Sequence, residues 1–259
     1  MTLLDYLIIL VPMLVVATLT WVVSVFKKDV SIVDSLWSVF FVIIAVYLLL
    51  DSDEISWRFI IVFFLVVAWG IRLSFYITLR HWGESEDHRY KVIRKNNSPG
   101  FAFKSIYLIF WFQAVVAWVV ALPVIFALKS NSPLNVFDVL GITFWLAGMY
   151  FETLSDYQLY KFKKDAVNKG KILIDGLWKY TRHPNYFGEF LIWWGYFLFS
   201  VAAQQYMAIV SPLLMTFLLL KFSGVVLLEK SMRSRPGYEE YIRNTNAFFP
   251  GFKRNKEMS

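Results

Sequence analysis

Seven apolar runs alternate with connections whose basic charge falls on every second one, and no other feature constrains the fold as much. The runs are Leu3–Phe26, Leu36–Leu50, Trp57–Leu79, Ser105–Leu128, Val136–Leu154, Phe187–Ala203 and Tyr206–Leu228. A helix needs roughly 17 to 25 apolar residues to cross the hydrocarbon core. The second run is short and is expected to begin earlier, near Ile32. The fifth contains Gly141 and Gly148, as helices packed in membrane bundles often do. The last two are divided only by Gln204–Gln205, which predicts a tight helical hairpin.

The basic residues set the orientation. The odd-numbered connections carry Lys27 and Lys28, then Arg80, Arg89, Lys91, Arg94, Lys95 and Lys104, then Lys161, Lys163, Lys164, Lys169, Lys171, Lys179 and Arg182. The tail adds Lys230, Arg233, Arg235, Arg243, Lys253, Arg254 and Lys256, whereas the even-numbered connections hold only Arg58 and Lys129. By the positive-inside rule this predicts seven spans, an outer N-terminus and a cytoplasmic C-terminus. An error of one span would put a basic loop on the wrong side. The expected fold is therefore an all-α, polytopic transmembrane helical bundle forming a single domain over residues 1–259.

Composition agrees. The chain is 58% hydrophobic and 17% charged, against about 25% charged in ordinary soluble domains. The net charge of +7 would suggest nucleic acid in a soluble protein. Here it reads as cytoplasmic loop charge, and no nucleic-acid partner is expected. The absence of Cys excludes disulfides, thiolate catalysis and Cys-based metal sites. The first run lacks a basic leader and is too long for a signal peptide, so no cleavage is expected.

Two basic connections, about 80–104 and 156–186, are long, and long connections in compact proteins tend to be functional. The second contains Gly176-Leu-Trp-Lys-Tyr-Thr-Arg-His-Pro-Asn-Tyr-Phe-Gly-Glu189. Pro184 keeps His183 out of the α-region and suits the first turn of a helix. A helix starting near Asn185 would offer free backbone N–H groups to an anion, with Arg182 and Lys179 beside it. Asn185 and Glu189, four apart, share a face. Interfacial anchoring explains Trp178, Tyr180 and Arg182, but not a Glu followed by Phe-Leu-Ile-Trp-Trp.

Glu152 and Asp156 also share a helix face, with Tyr157, Lys161 and Lys163 beyond them. An acidic residue within a span costs roughly 2.5–3.5 kcal/mol, so it is expected to face a cavity or partner. Arg72 is the deepest charge, on one face with Trp69 and Tyr76; Asp34 and Glu189 are candidate partners. Lys221 and Glu229 share a face of the last run. The loop from Arg80 to Tyr90 has two His but no pair at metal-ligand spacing, so no metal is expected. No Rossmann, P-loop or nucleophile-elbow motif is present.

Gly176–Glu189, Gly148-Met-Tyr-Phe-Glu-Thr-Leu-Ser-Asp-Tyr157 and the tail from Arg235 to Tyr241, with Phe249-Pro250, resemble the C-terminal domain of the steroid 5-alpha reductase family. Val33-Asp-Ser-Leu-Trp37 and Trp69-Gly-Ile-Arg-Leu73 are similar to its largely bacterial branch. The resemblance implies a seven-helix membrane enzyme that uses NADPH to reduce a carbon–carbon double bond conjugated to a carbonyl in a lipophilic substrate. It implies a substrate side in residues 1–128 and a cofactor side in 129–259. Asp156, Asn185 and Glu189 match family cofactor contacts and Tyr241 matches the tail motif. Glu152 stands in place of an amide and Lys163 in place of an Arg. With Arg182, His183 and Tyr180 these form the expected cofactor set. The family polarises the ketone with a Glu and a Tyr; here Trp69 occupies the Tyr position, leaving Asp34, Tyr76 and Arg72 as the other catalytic candidates.

Arg182-His-Pro-Asn-Tyr-Phe-Gly188 is also similar to isoprenylcysteine and phospholipid methyltransferases, which use S-adenosylmethionine. A non-enzymatic lipid-binding protein is a third reading. Membrane lipids are expected partners throughout, in the inner membrane of a bacterium or the endoplasmic reticulum of a eukaryote.

Overall fold

The computed structural model describes residues 2–222 and 224–252; Lys253, Arg254 and Lys256 of the basic tail lie outside the described residues. Every regular element among the described residues is helical. The chain divides into two compact units, Met1–Leu134 with Ala202–Gln205, and Asn135–Val201 with Tyr206–Ser259.

The first unit opens with α1 (Leu3–Lys27), α2 (Ile32–Leu50), α3 (Trp57–His81) and the short α4 (His88–Asn96). It continues through α5 (Phe101–Ser105), a π-helical stretch Ile106–Trp111, α6 (Phe112–Val120) and α7 (Leu122–Leu128). Thr2 and Asp5 form a reciprocal capping box that starts α1, satisfying N–H groups that lack intrahelical partners. Lys28 ends it in the left-handed conformation. Ser56 caps α3 by accepting from Phe59 N–H at 3.1 Å.

Leu3–Lys27, Ile32–Leu50, Trp57–His81 and Phe101–Val120 are long and apolar enough to cross a membrane. In α1, Ile9, Met13 and Ala17 are buried while Leu7, Val11, Val15 and Leu19 are exposed. A helix apolar on both faces suits a lipid environment. Helices α2 and α3 touch closely: Ser38 Oγ donates to Gly70 O at 2.8 Å, and a Cβ on Gly70 would meet Val42 at 2.6 Å. Tyr6 and Trp118 stack at 4.1 Å, each donating to the other's backbone carbonyl.

Arg58, at the start of α3, is fully buried. It donates to Ser132 Oγ at 2.6 Å, Ser130 Oγ at 3.0 Å, Ser132 O at 3.1 Å and Pro133 O at 2.9 Å. This charge fixes the end of the unit and borders a cavity of about 310 Å³ shared with Glu54, Trp57 and Asn131.

The second unit contains α8 (Val136–Lys164), 3₁₀ turns at Ala166–Asn168 and Gly176–Lys179, and α9 (Pro184–Ala202). A turn at Tyr206–Ile209, α10 (Val210–Phe217), a π-helical stretch Leu218–Phe222, α11 (Val225–Met232) and α12 (Tyr238–Asn244) follow. Pro184 is the first residue of α9, where its missing N–H costs nothing. Helices α8 and α9 run antiparallel with their backbones in contact. A Cβ on Gly148 would meet Gly188 O at 2.6 Å, and one on Gly195 would meet Gly141 O at 2.9 Å. Further along, Trp178 Nε1 donates to Ser155 O at 3.3 Å.

Several element boundaries depart from the sequence reading. Helix α8 runs ten residues past Leu154, to Lys164, so Glu152 and Asp156 lie inside a helix and not at its end. The fourth run starts at Phe101, before Ser105, and is divided at Ala121, just before Pro123. The last run is broken into α10, a π-helical stretch and α11, since α11 begins only after Gly224, whose Cβ would collide with Leu219 O at 2.0 Å.

Replacing Gly148 with Leu should lower stability in detergent by at least about 1–3 kcal/mol, the usual cost of overpacking a tight contact, read as a fall in melting temperature. Arg58→Met should cost about 1–3 kcal/mol, because the Ser132 and Pro133 carbonyls lose their buried donor; the same melt measures it.

Candidate functional site

Apart from the Arg58 cluster, buried polar residues gather around Tyr90 and Asp34 in the first unit, and around Glu152 and Glu189 and around Arg182 in the second. In the first unit, Asp34 lies in the opening turn of α2. Tyr90, buried on α4, donates its hydroxyl to Asp34 Oδ1 at 2.5 Å. Arg89 Nη2 pairs with Asp34 Oδ2 at 2.7 Å, and Gln113 Nε2 donates to Tyr90 Oη at 3.1 Å. Burial, followed by the Asp34 carboxylate, pushes the Tyr90 phenol well above its ordinary value. Tyr90 therefore keeps its proton at neutral pH and acts as a donor.

Local structure places this group. Asp87 caps α4 by accepting from Arg89 N–H at 2.9 Å, and burial, which would raise its carboxyl, is outweighed by hydrogen bonds from Arg89. Glu86 takes two bonds from Arg94, at 2.6 and 2.9 Å, and one from Val30 N–H at 3.1 Å. Arg94 also lies 4.5 Å from the Phe101 ring centre. These ties hold α4 against the start of α2, with Tyr90 directed inward.

The expected N-terminal candidates are brought together only in part. Trp69 is fully buried against Phe41 at 5.4 Å. Arg72 and Arg80 lie 6.0 and 5.9 Å from the Tyr76 ring centre. Asp34 is engaged by Arg89 and Tyr90. Tyr90, Arg89 and Gln113 were not among the sequence candidates. The length of the 80–104 connection points to function, but a Tyr in a mixed-charge loop carries no signal of its burial.

In the second unit, the glycine seam brings Glu152 against Gly188, whose Cβ would meet Glu152 N at 2.6 Å. Glu152, Ser155, Asp156 and Glu189 are all buried. Trp193 Nε1 donates to Glu189 Oε1 at 3.0 Å, and Trp145 Nε1 to Tyr196 Oη at 3.0 Å. Asn185 is half-buried in the first turn of α9, and Lys163 is exposed in the last turn of α8.

Arg182 and His183 are buried beside Glu229 of α11. Arg182 Nε and Nη2 reach Glu229 Oε1 at 2.8 and 2.7 Å, and His183 Nε2 lies 3.2 Å from the same oxygen. Burial pushes the Glu229 carboxyl up, but hydrogen bonds from His183 and Arg182 outweigh it and hold the group below its ordinary value. Arg182 also binds the tail: Nη1 donates to Ile242 O and Thr245 O, and its N–H donates to Asn246 O at 2.9 Å. Thr181 Oγ1 donates to Phe248 O at 2.8 Å, Gly251 N–H to Tyr180 O at 3.0 Å, and Tyr241 Oη to Trp178 O at 2.5 Å. Glu229 was noted in the sequence only for sharing a face with Lys221. Among the described residues no group of three or more His, Cys, Asp or Glu is placed to hold a metal.

An uncharacterized protein of Schizosaccharomyces pombe, C594.04c, is 26% identical over 91% of this chain and 77% of its own length. The 3-oxo-5-alpha-steroid 4-dehydrogenase 1 of Macaca fascicularis is 39% identical over 66 residues, and the Homo sapiens protein 38% over 66 residues. Each of these two matches covers 26% of this chain, and 25% and 26% of the enzymes themselves. No solved structure matches. The apolar helices and this partial kinship mark an integral membrane protein related to steroid 5-alpha reductases. Residues 20–245 match the family described as "Protein of unknown function (DUF1295)", and the chain belongs to that family.

Proposed function

We propose that this protein is a membrane-embedded, NADPH-dependent reductase of a carbon–carbon double bond conjugated to a carbonyl in a lipophilic, steroid-like or isoprenoid-like substrate. The observation that carries the reading is the buried Tyr90 phenol bonded to half-buried Asp34, with Gln113 behind it. Such a pair can stabilise the negative charge that develops on a carbonyl oxygen during reduction. The short match to the steroid dehydrogenases supports the same chemistry.

In this proposal the chain crosses the membrane seven times as a single domain, with the N-terminus outside and the basic loops in the cytoplasm. Residues 1–128 serve the substrate and 129–259 the cofactor. The donor set of the second unit fits a dinucleotide. Buried Glu152, Asp156 and Glu189, with the Asn185 amide, suit ribose hydroxyls and a carboxamide. Arg182, His183 and Lys163 suit phosphates, while Tyr180 and Tyr241 anchor the loop and tail around them. When bound, NADPH supplies a hydride to the electrophilic carbon.

Tyr90 would donate to the substrate carbonyl in exchange for its bond to Asp34. Gln113, donating to the phenol oxygen, makes that proton the better donor. Arg89 keeps Asp34 neutralised during the exchange. Trp69, Arg72 and Tyr76 would line the substrate side of the first unit, and a lipophilic substrate would reach it through the bilayer.

NADPH at 100 times its dissociation constant should stabilise the detergent-purified protein by about 2.7 kcal/mol, and S-adenosylmethionine should not. The reverse would make the chain a methyltransferase, and no response to either would leave a lipid-binding role. Asn185→Ala and Glu189→Ala should each weaken NADPH binding about tenfold, or 1.4 kcal/mol, with an unchanged gel-filtration profile; if both variants aggregate, these residues are structural. Tyr90→Phe should lower kcat on a reducible enone about 10²–10³-fold while leaving NADPH affinity alone; unchanged turnover would remove Tyr90 from the chemistry.

A further inference from the structure

Arg182 and His183 are adjacent, buried and directed at a single carboxylate oxygen. The guanidinium gives Glu229 Oε1 two of its N–H groups, and the imidazole approaches the same atom. A planar guanidinium fork recognises carboxylate and phosphate oxygens by the same geometry. Glu229 is the most exposed of the three side chains, at 18% against 8% and 5%, and it comes from α11, a short helix between Gly224 and the turn before α12. The two side chains are held from behind: Arg182 by the Ile242 and Thr245 carbonyls and His183 by stacking on Tyr186 at 5.6 Å. The pair is thus fixed on the inside, and the acid closes it from the outer side.

We propose that Glu229 is a built-in stand-in for a phosphate: its carboxylate fills an anion seat made by Arg182 and His183, and a phosphate-bearing ligand takes the seat by displacing it. The exchange involves no covalent step. One anion replaces another on the same donors, so the buried Arg182 guanidinium is never left uncompensated, a state that is strongly destabilising. The displaced acid releases α11 from the Arg182–His183 segment that precedes α9, while the tail stays tied through Thr181, Tyr180 and Trp178. The inference rests on the dinucleotide reading only for the identity of the ligand. It explains how residues locked in an internal ion pair can also serve a cofactor, and it makes Glu229 a gate on cofactor affinity.

The test uses the full chain in detergent, with sodium pyrophosphate and NADPH as probes and sodium chloride at matched ionic strength as the control. Glu229→Gln should melt below the wild type and recover in pyrophosphate but not in chloride, while the wild type, whose seat Glu229 fills, should need about tenfold more pyrophosphate for a comparable gain. The same variant should bind NADPH about tenfold more tightly than the wild type, equivalent to 1.4 kcal/mol. Glu229→Asp, which withdraws the charge by one methylene, should shift NADPH affinity in the same direction and guards against poor folding of the Gln variant. NADPH binding to the wild type with no gain in either variant overturns the proposal and leaves the reductase reading intact. Rescue by pyrophosphate with no NADPH binding to any form supports the seat and counts against the dinucleotide. A variant that stays unfolded in pyrophosphate overturns the seat.

Discussion

Bare backbone at four glycines governs the second unit. Gly141 and Gly148 of α8 meet Gly195 and Gly188 of α9 at distances that admit no side chain on either helix. In a membrane, helices gain little from hiding apolar surface from one another, so van der Waals contact and small residues must hold them together. The antiparallel seam carries Glu152 and Asp156 to the place where α9 begins. It sets Glu152 against Gly188, next to Glu189 in the chain.

Charge placement follows the same physical rule in both units. A charged side chain in or near a span requires compensation, and the price of leaving it bare is several kcal/mol. Arg58 is surrounded by serine hydroxyls and backbone carbonyls. Asp34 holds Arg89 and Tyr90. Arg182 holds Glu229 and the tail. These clusters differ in what they leave available. Arg58 is surrounded by groups that cannot leave, which makes it a brace. Asp34 and Glu229 are each held by side chains that a ligand could also address.

The sequence was legible where a pattern repeats or a residue is chemically costly. Apolar run length announced the helices of the first unit, Pro184 announced the start of α9, and Gly141 and Gly148 announced a packed face. Glu152 and Asp156 stood out because acids are rare in such surroundings. Partners were not legible. For Asp34, α4 supplies Arg89 and Tyr90 from more than fifty residues away. Glu229 and Arg182 lie 47 residues apart, and no local pattern records their meeting.

Alone, the sequence determined an all-helical membrane chain and which residues are too polar to face lipid, because hydropathy and backbone hydrogen bonding act locally and are written in runs of neighbouring residues. The tertiary structure alone decided which polar groups meet: Tyr90 with Asp34, Glu229 with Arg182 and His183. Such meetings depend on how helices cross and where short elements like α4 and α11 come to rest. Those placements are settled by packing between distant segments, which one-dimensional patterns do not encode.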